Sequence, residues 1–496
     1  MKSTMQEVPM TVSSILRHVA TNHTVRQVIT YSVNGSARYA TYGDLEERCA
    51  RLANALRRVG VVGDDRVATM LWNNQEHLEA YAAVPAMGAV LHTLNIRLSP
   101  AQLQFIANHA EDKVIIVDGS LVPLLAAVLP GLATVRVVFV TGDGDTSPPL
   151  DGHGVTVMRY HDALAAESPP VFSWVDPDER SAAGMCYTSG TTGDPKGGVV
   201  YSHRSVFLHS MAACTGNALA IAEADRVLPV VPMFHASAWG GLPYASLMAG
   251  ADLLMPDRYL QAAPLADMIQ QHRPTKAGAV PTIWNDLLQY GIANPGVDLS
   301  SIDLVACGGA PVPQSLIEGF ADRFGVQIIQ AWGMTETSPP LAAVGRPPAG
   351  ISPPAKEISY RKRQGRAICG VEMRLIDEGG LPVPPRDDKS VGELEVRGPW
   401  VTGSYYRLED TERFRDGWLR TGDVGHISPD GYLTLTDRSK DVIKSGGEWI
   451  SSVELENWIM SHPDVAEAAV VAMPDPPMAG DSSRCCGSGT GSRSVG

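Results

Sequence analysis

Short apolar runs alternate with amphipathic stretches along the first third of the chain. Leu45, Cys49, Leu52, Ala53, Leu56 and Val59 fall on one helical face, the 3.6-residue period of a helix packed on a core. Thr41 stands at the cap position, Asp44 is an acidic variant of the capping box, and Gly60 follows as a stop. The run from Arg66 to Leu71 predicts a buried strand, and Glu76 to Met87 a second helix. Val114–Val117 and Val135–Val140 are further strand candidates. Such alternation predicts an α/β sheet covered on both faces. Met185–Tyr187 and Gly198–Tyr201 read as strands on either side of a polar loop. After Gly365 the pattern changes to short strands with turns, at Glu372–Ile376, Gly392–Val396 and Tyr432–Leu435. These predict a small β-subdomain packed on the α/β part. Gly142–Pro149 and Pro347–Pro354 are loop material, and Glu454–Met460 predicts a short helix.

The 496 residues are 44% hydrophobic and 19% charged, a globular composition of a length that suggests more than one domain. The formal charge of −14 argues against a nucleic-acid partner and requires any anion site to collect its positive charge locally. The segment from Met1 to Met10 lacks the apolar core of a signal peptide. The longest apolar stretch, Ala80–Leu91, is too short to span a membrane and contains Pro85. Seven cysteines, mostly isolated, fit a reducing compartment. The expectation is a cytoplasmic protein with no integral membrane segment.

Candidate chemistry concentrates between the two strands around residue 190. Thr188, Ser189, Gly190, Thr191, Thr192, Gly193, Asp194, Pro195, Lys196 and Gly197 put four hydroxyls, three glycines and one lysine in a single loop. Hydroxyls and exposed backbone N–H groups suit a polyphosphate, glycines let the backbone approach, and lysine adds a mobile charge. The bland alternative is a flexible surface linker, against which Pro195 and the flanking strands argue. A Walker loop is excluded, because Lys196 is followed by Gly197 and Gly198 rather than by Ser or Thr.

Further motifs follow in order. Pro232, Met233, Phe234, His235 and Trp239 form one; an isolated Phe-His is more often a core histidine than a catalytic one. Gly308, Gly309 and Ala310 follow the apolar Leu304–Ala306, where paired glycines let a flat ring lie on the backbone or simply make a turn. Trp332, Gly333, Met334, Thr335, Glu336 and Thr337 place an acid between threonines. Beside phosphate oxygens such a carboxylate needs a divalent cation, and Mg²⁺ takes one or two carboxylates plus substrate phosphates; alone, the same segment reads equally well as an exposed helix cap. Asp423 follows Thr421 and Gly422 in an apparent tight turn, where one carboxylate matches paired ribose hydroxyls. Asp437, Arg438 and Asp441 read as an exposed connector, and Lys444, Gly446, Gly447 and Trp449 as a glycine turn.

Together these motifs, in this order from Thr41 to Pro474, resemble the adenylate-forming enzymes: acyl-CoA synthetases, firefly-type luciferases and peptide-synthetase adenylation domains. The resemblance implies a large N-terminal AMP-binding domain over 1–436, made of stacked α/β subdomains and a small β-subdomain. It further implies a hinge at 437–441 and an incomplete small α+β C-terminal domain over 442–477. It assigns the loop from Thr188 to Lys196 to the β- and γ-phosphates of ATP, Gly309 and Ala310 to the adenine pocket with Trp332 and Gly333 beside it, and Thr335 to phosphate. Glu336 falls to Mg²⁺, Asp423 to the ribose and Arg438 to the nucleotide. His235 and Trp239 line the acyl pocket, while Lys444, Gly446, Gly447 and Trp449 border the CoA tunnel. Lys196, Thr335, Glu336 and His235 are the implied catalytic set. The Trp239 segment is most similar to that of medium- and long-chain fatty-acid ligases and of methylthiopropionate ligases. The implied reaction joins a fatty acid to ATP, giving acyl-adenylate, and then to CoA. Fatty acyl-AMP ligase and degenerate nucleotide-binding protein are the alternatives, and a homodimer is a candidate state.

From about Met478 the resemblance stops. The tail Gly480–Gly496 is rich in Gly, Ser, Arg and Cys, as a GC-rich coding sequence read in a shifted frame would be. The expectation is a frameshift or truncated reading, the alternative a natural flexible tail. The family's lysine near the C-terminus has no counterpart, since Lys444 is the last lysine of this sequence. Weak turnover is therefore expected.

Overall fold

The computed structural model describes residues 1, 3–32, 36–142, 150, 153–188, 197–338, 341–352, 354–383, 386–438, 443–445 and 448–450, and positions 455, 459, 465 and 470. The helix Tyr42–Arg58 begins as the pattern predicts: the Thr41 hydroxyl accepts from the Asp44 N–H while the Asp44 carboxylate accepts from the Thr41 N–H. Leu45, Cys49, Leu52, Ala53 and Leu56 are fully buried.

Among the described residues, two large sheets dominate. The first runs Thr156–Arg159, Val137–Thr141, Asp112–Asp118, Arg66–Met70, Val90–Thr93, Ala182–Tyr187 and Gly198–Ser202, parallel except for the last pair. The second runs Arg366–Ala367, Ala343–Val344, Gln327–Trp332, Leu304–Cys307, Lys276–Ala279, Arg226–Pro229, Asp252–Met255, Gln27–Tyr31 and Ala37–Thr41. Its five central pairings are parallel.

The helix Gln75–Ala86 packs against strands of both sheets and is buried along its whole length. A helix so placed has no solvent face for its acids, so each is paired. Arg38 grips Glu76. Glu79 takes Arg48 and the Tyr160 hydroxyl, the latter at 2.6 Å.

The predicted β-subdomain is an antiparallel sheet of Glu372–Ile376, Gly392–Arg397, Trp418–Ile427 and Phe414–Arg415, with Leu433–Arg438 paired to Trp418–Ile427. Two details differ from the sequence expectation. Asp423 lies inside the ten-residue strand Trp418–Ile427 rather than after a turn, because the strand absorbs a register shift between Val424 and Gly425 and runs on. Arg438 ends a strand rather than opening a connector, and its register partner is Asp423. Beyond it, Ile443–Ser445 and Glu448–Ile450 form an antiparallel hairpin.

Candidate active site

Parallel sheets present ligands at the carboxyl ends of their strands, and several of the motif segments begin there. Ala182–Tyr187 leads into the polar loop and Gly198–Ser202 leads out of it. Leu304–Cys307 leads into Gly308–Ala310, and its parallel neighbour Gln327–Trp332 leads into Gly333–Thr337. Ser189, Gly190, Thr191, Thr192, Gly193 and Lys196 lie outside the described residues, as do Gly446 and Gly447. Lys444 and Trp449 pair across the C-terminal hairpin.

The rims of the loop are built. The Thr188 N–H donates to the Gly197 carbonyl at 3.4 Å, and the buried Thr188 hydroxyl has no hydrogen-bond partner among the described residues. A Cβ on Gly197 would stand 2.8 Å from Cβ and Cγ of Tyr405. The loop exit therefore rests directly on that ring. Next to it, the Tyr406 N–H donates to the Gly198 carbonyl at 2.8 Å.

Tyr405 carries this contact into the Thr335–Thr337 turn. Its hydroxyl donates to Glu336 Oε1 at 2.5 Å, and Arg413 Nη2 reaches the same oxygen at 3.1 Å. Glu336 is only 3% exposed, so a bare carboxylate there would be costly. Burial, then the Glu336 charge, pushes the Tyr405 phenol well above its ordinary range. From the first sheet, the Tyr201 hydroxyl donates to the Thr335 carbonyl at 2.7 Å.

Asp423 faces the same space. Trp332 Nε1 donates to its Oδ2 at 2.9 Å, and Arg438 Nε stands 3.6 Å from Oδ1. Burial raises the Asp423 pKa, opposed by the Trp332 hydrogen bond and by Arg438 and Arg413. On the neighbouring strand end, a Cβ on Gly308 would meet the Ala331 carbonyl oxygen at 2.2 Å, and Gly309 has φ +86°. Only glycine leaves this wall flat.

The His235 segment is held by the other sheet. Asn73 donates to the Pro229 and Val231 carbonyls and accepts from the Met233 N–H, all within 2.8 Å. The Thr93 hydroxyl donates to the Phe234 carbonyl at 3.0 Å. Burial, helped by Arg97, lowers the His235 pKa to about 4, so its ring is neutral at ordinary pH. Trp239 is 4% exposed and stands between Tyr81 and Tyr201, with ring centroids 5.5 and 5.0 Å away. It borders a narrow cavity of about 10 Å³ lined by Tyr201, Val206, His209, Ala236, Gly240 and Ser338. His209 is fully buried with neither ring nitrogen bonded, and burial lowers its pKa to about 3.

The structure thus brings Glu336, Thr335, Trp332, Asp423 and Arg438 to one place, with Gly309 and Ala310 on the adjacent strand end. Tyr405, Arg413, Tyr201 and His209 were not legible as site residues. The run Glu409–Arg415 looks like a solvated charged turn, and a Tyr pair or a helical histidine has no signature of its own. Among the described residues no group of three or more His, Cys, Asp or Glu side chains could cage a metal. A cation that shares its shell with phosphate oxygens needs only one or two protein carboxylates, a donor set that Glu336 fits.

The sequence pattern of the family described as AMP-binding enzyme matches residues 16–406. The 3-methylmercaptopropionyl-CoA ligase of Ruegeria pomeroyi is 43% identical over 474 residues, 95% of this chain and 86% of that protein. The long-chain-fatty-acid–CoA ligase of Thermus thermophilus is 43% identical over 479 residues, 96% and 85% of the two chains. Among solved structures, anthranilate CoA ligase AuaEII in complex with anthranoyl-AMP superposes with a TM-score of 0.83 at 24% identity, covering 96% of this chain and 86% of that one, and so shares the fold.

Proposed function

The chain belongs to the AMP-binding enzyme family and is an AMP-forming acyl-CoA synthetase; within that activity, we propose that its substrate is an uncharged-tailed aliphatic monocarboxylic acid. Medium- and long-chain fatty acids and the related 3-methylthiopropionate form the substrate class. The observation that carries this reading is the uncharged lining beside Trp239. No lining residue is charged, and His209 stays neutral down to about pH 3. A second carboxylate buried there would have no counter-ion. The names of the two relatives, a thioether acid and a long-chain acid, bracket the same class.

In this proposal the acid's carboxylate attacks the α-phosphorus of ATP, releasing pyrophosphate, and CoA thiolate then displaces AMP. The protein's task is to hold two anions in line and neutralise charge. Thr188, Ser189, Gly190, Thr191, Thr192, Gly193 and Lys196 would hold the β- and γ-phosphates, with Thr335 beside them. Gly309, Ala310, Trp332 and Gly333 would frame the adenine, and Asp423 with Arg438 would take the ribose side. Glu336 would hold Mg²⁺, which when bound offsets phosphate charge. Neutral His235 would face the acyl carboxylate, and Lys444, Gly446, Gly447 and Trp449 would border CoA.

ATP–pyrophosphate exchange across a panel of acids tests the reading, with thioester formation measured alongside. Exchange with aliphatic monocarboxylates and CoA-dependent AMP release are expected. Preference for malonate or succinate would overturn the substrate class. Exchange without thioester would instead make the protein an acyl-AMP ligase.

A further inference from the structure

Arg413 is a cation inside the nucleotide site that no motif selected. Its Nη2 lies 3.1 Å from Glu336 Oε1, its side chain is 21% exposed, and its buried Nε has no hydrogen-bond partner. It also lies close enough to Asp423 to act on that carboxyl's charge. Arg413 therefore contacts one carboxylate of the site and acts through its charge on the other. A triphosphate entering between two buried acids would be repelled unless a cation answered it. Arg438 is 58% exposed and solvent-screened, whereas Arg413 is held inside.

Its backbone is pinned. The Arg413 N–H donates to Asp410 Oδ1 at 3.0 Å, and the Arg420 N–H donates to the Arg413 carbonyl at 2.9 Å. Only the side chain has freedom to turn. When it turns away, Glu336 Oε1 keeps the Tyr405 hydroxyl, so the carboxylate is not left bare. A guanidinium with an unused donor, on a carboxylate that has a second partner, is built to exchange one anion for another.

We propose that Arg413 is a phosphate-binding residue for ATP, resting on Glu336 before the nucleotide enters and turning to the phosphates as Glu336 takes up the accompanying cation. The proposal rests on the nucleotide-binding reading above and adds a residue to it.

Calorimetric binding of Mg-ATP and of adenosine to the full chain tests it without turnover. Wild type binds ATP. Arg413→Met is expected to weaken ATP about tenfold, the worth of one charged hydrogen bond, while adenosine affinity stays within about twofold. Arg413→Lys, which keeps the charge and guards against a misfolded variant, recovers part of the loss. Equal losses for ATP and adenosine, or no loss of ATP binding in either variant, would overturn the proposal while leaving the nucleotide reading intact. Absence of ATP binding by wild type would overturn both.

Discussion

Gly184→Ala puts a methyl group where the indole of Trp239 lies. Its Cβ would stand 2.4 Å from Cζ3 and 2.7 Å from Cη2 of Trp239, and 3.2 Å from the Leu91 carbonyl oxygen. Carbon pairs settle at roughly 3.5–4.0 Å, so the ring must retreat by about 1.1–1.6 Å. Two of its neighbours are tethered: the Tyr81 hydroxyl donates to the Met233 carbonyl and the Tyr201 hydroxyl to the Thr335 carbonyl. The remaining direction is toward the narrow cavity lined by Val206, His209 and Ala236 that Trp239 borders. Overpacking of this kind costs about 1–3 kcal/mol. If the strain is relieved by moving the indole into the space proposed for the acyl tail, kcat/KM falls by roughly five- to hundredfold for the longest acids. The shortest acids are hardly affected. The assay is thioester formation over a chain-length series, with Trp239→Phe added in the Gly184→Ala background to return the space. A uniform loss across all acids, or no recovery in the double variant, would refute the reasoning.

Tyr405→Phe removes one of two donors on a buried carboxylate oxygen, so a loss of about 1.5–3 kcal/mol is expected. Chemical denaturation would read it as a lower midpoint, and an unchanged midpoint would show that the bond is not made in solution. Acid should destabilise the fold through its buried histidines. Burial depresses His77 and His209 to about 3 and His203 and His235 to about 4. The unfolded chain protonates near pH 6.5, so between there and about pH 4 it binds more protons than the folded chain. Stability is whole above pH 6.5 and falls as pH drops, by up to about 1.4 kcal/mol per unit for each such group. Denaturation midpoints measured from pH 7 to 4.5 check this, and His209→Asn should flatten the slope by one proton.

The sequence reading succeeded where one local pattern decides. The Thr41 cap, the buried face from Leu45 to Leu56 and the strands flanking the polar loop are each set by neighbours a few residues away. It also selected residues that the fold does gather, such as Trp332 and Asp423, which lie 91 positions apart and share a hydrogen bond. It misread Asp423 as following a turn, because Gly422 looks like a breaker and the register shift that lets the strand continue depends on its partner strand. Arg413 and Tyr405 were invisible for a different reason. Their meaning comes from Glu336, which reaches them only through tertiary packing.

The ties that close the site span long stretches of chain: 134 residues from Tyr201 to Thr335, 91 from Trp332 to Asp423 and 69 from Glu336 to Tyr405. Contacts of such sequence separation pay their loop-closure entropy before they return anything, and they form slowly. The binding surface is therefore expected to form late, after both large sheets and the β-subdomain have met. A ligand that recognises it binds the finished chain and not its precursors, and so pulls late folding intermediates forward by mass action. Refolding in the presence of nucleotide would then raise the yield of native protein, and protection from proteolysis by nucleotide would report the completion of the chain's last long-range contacts.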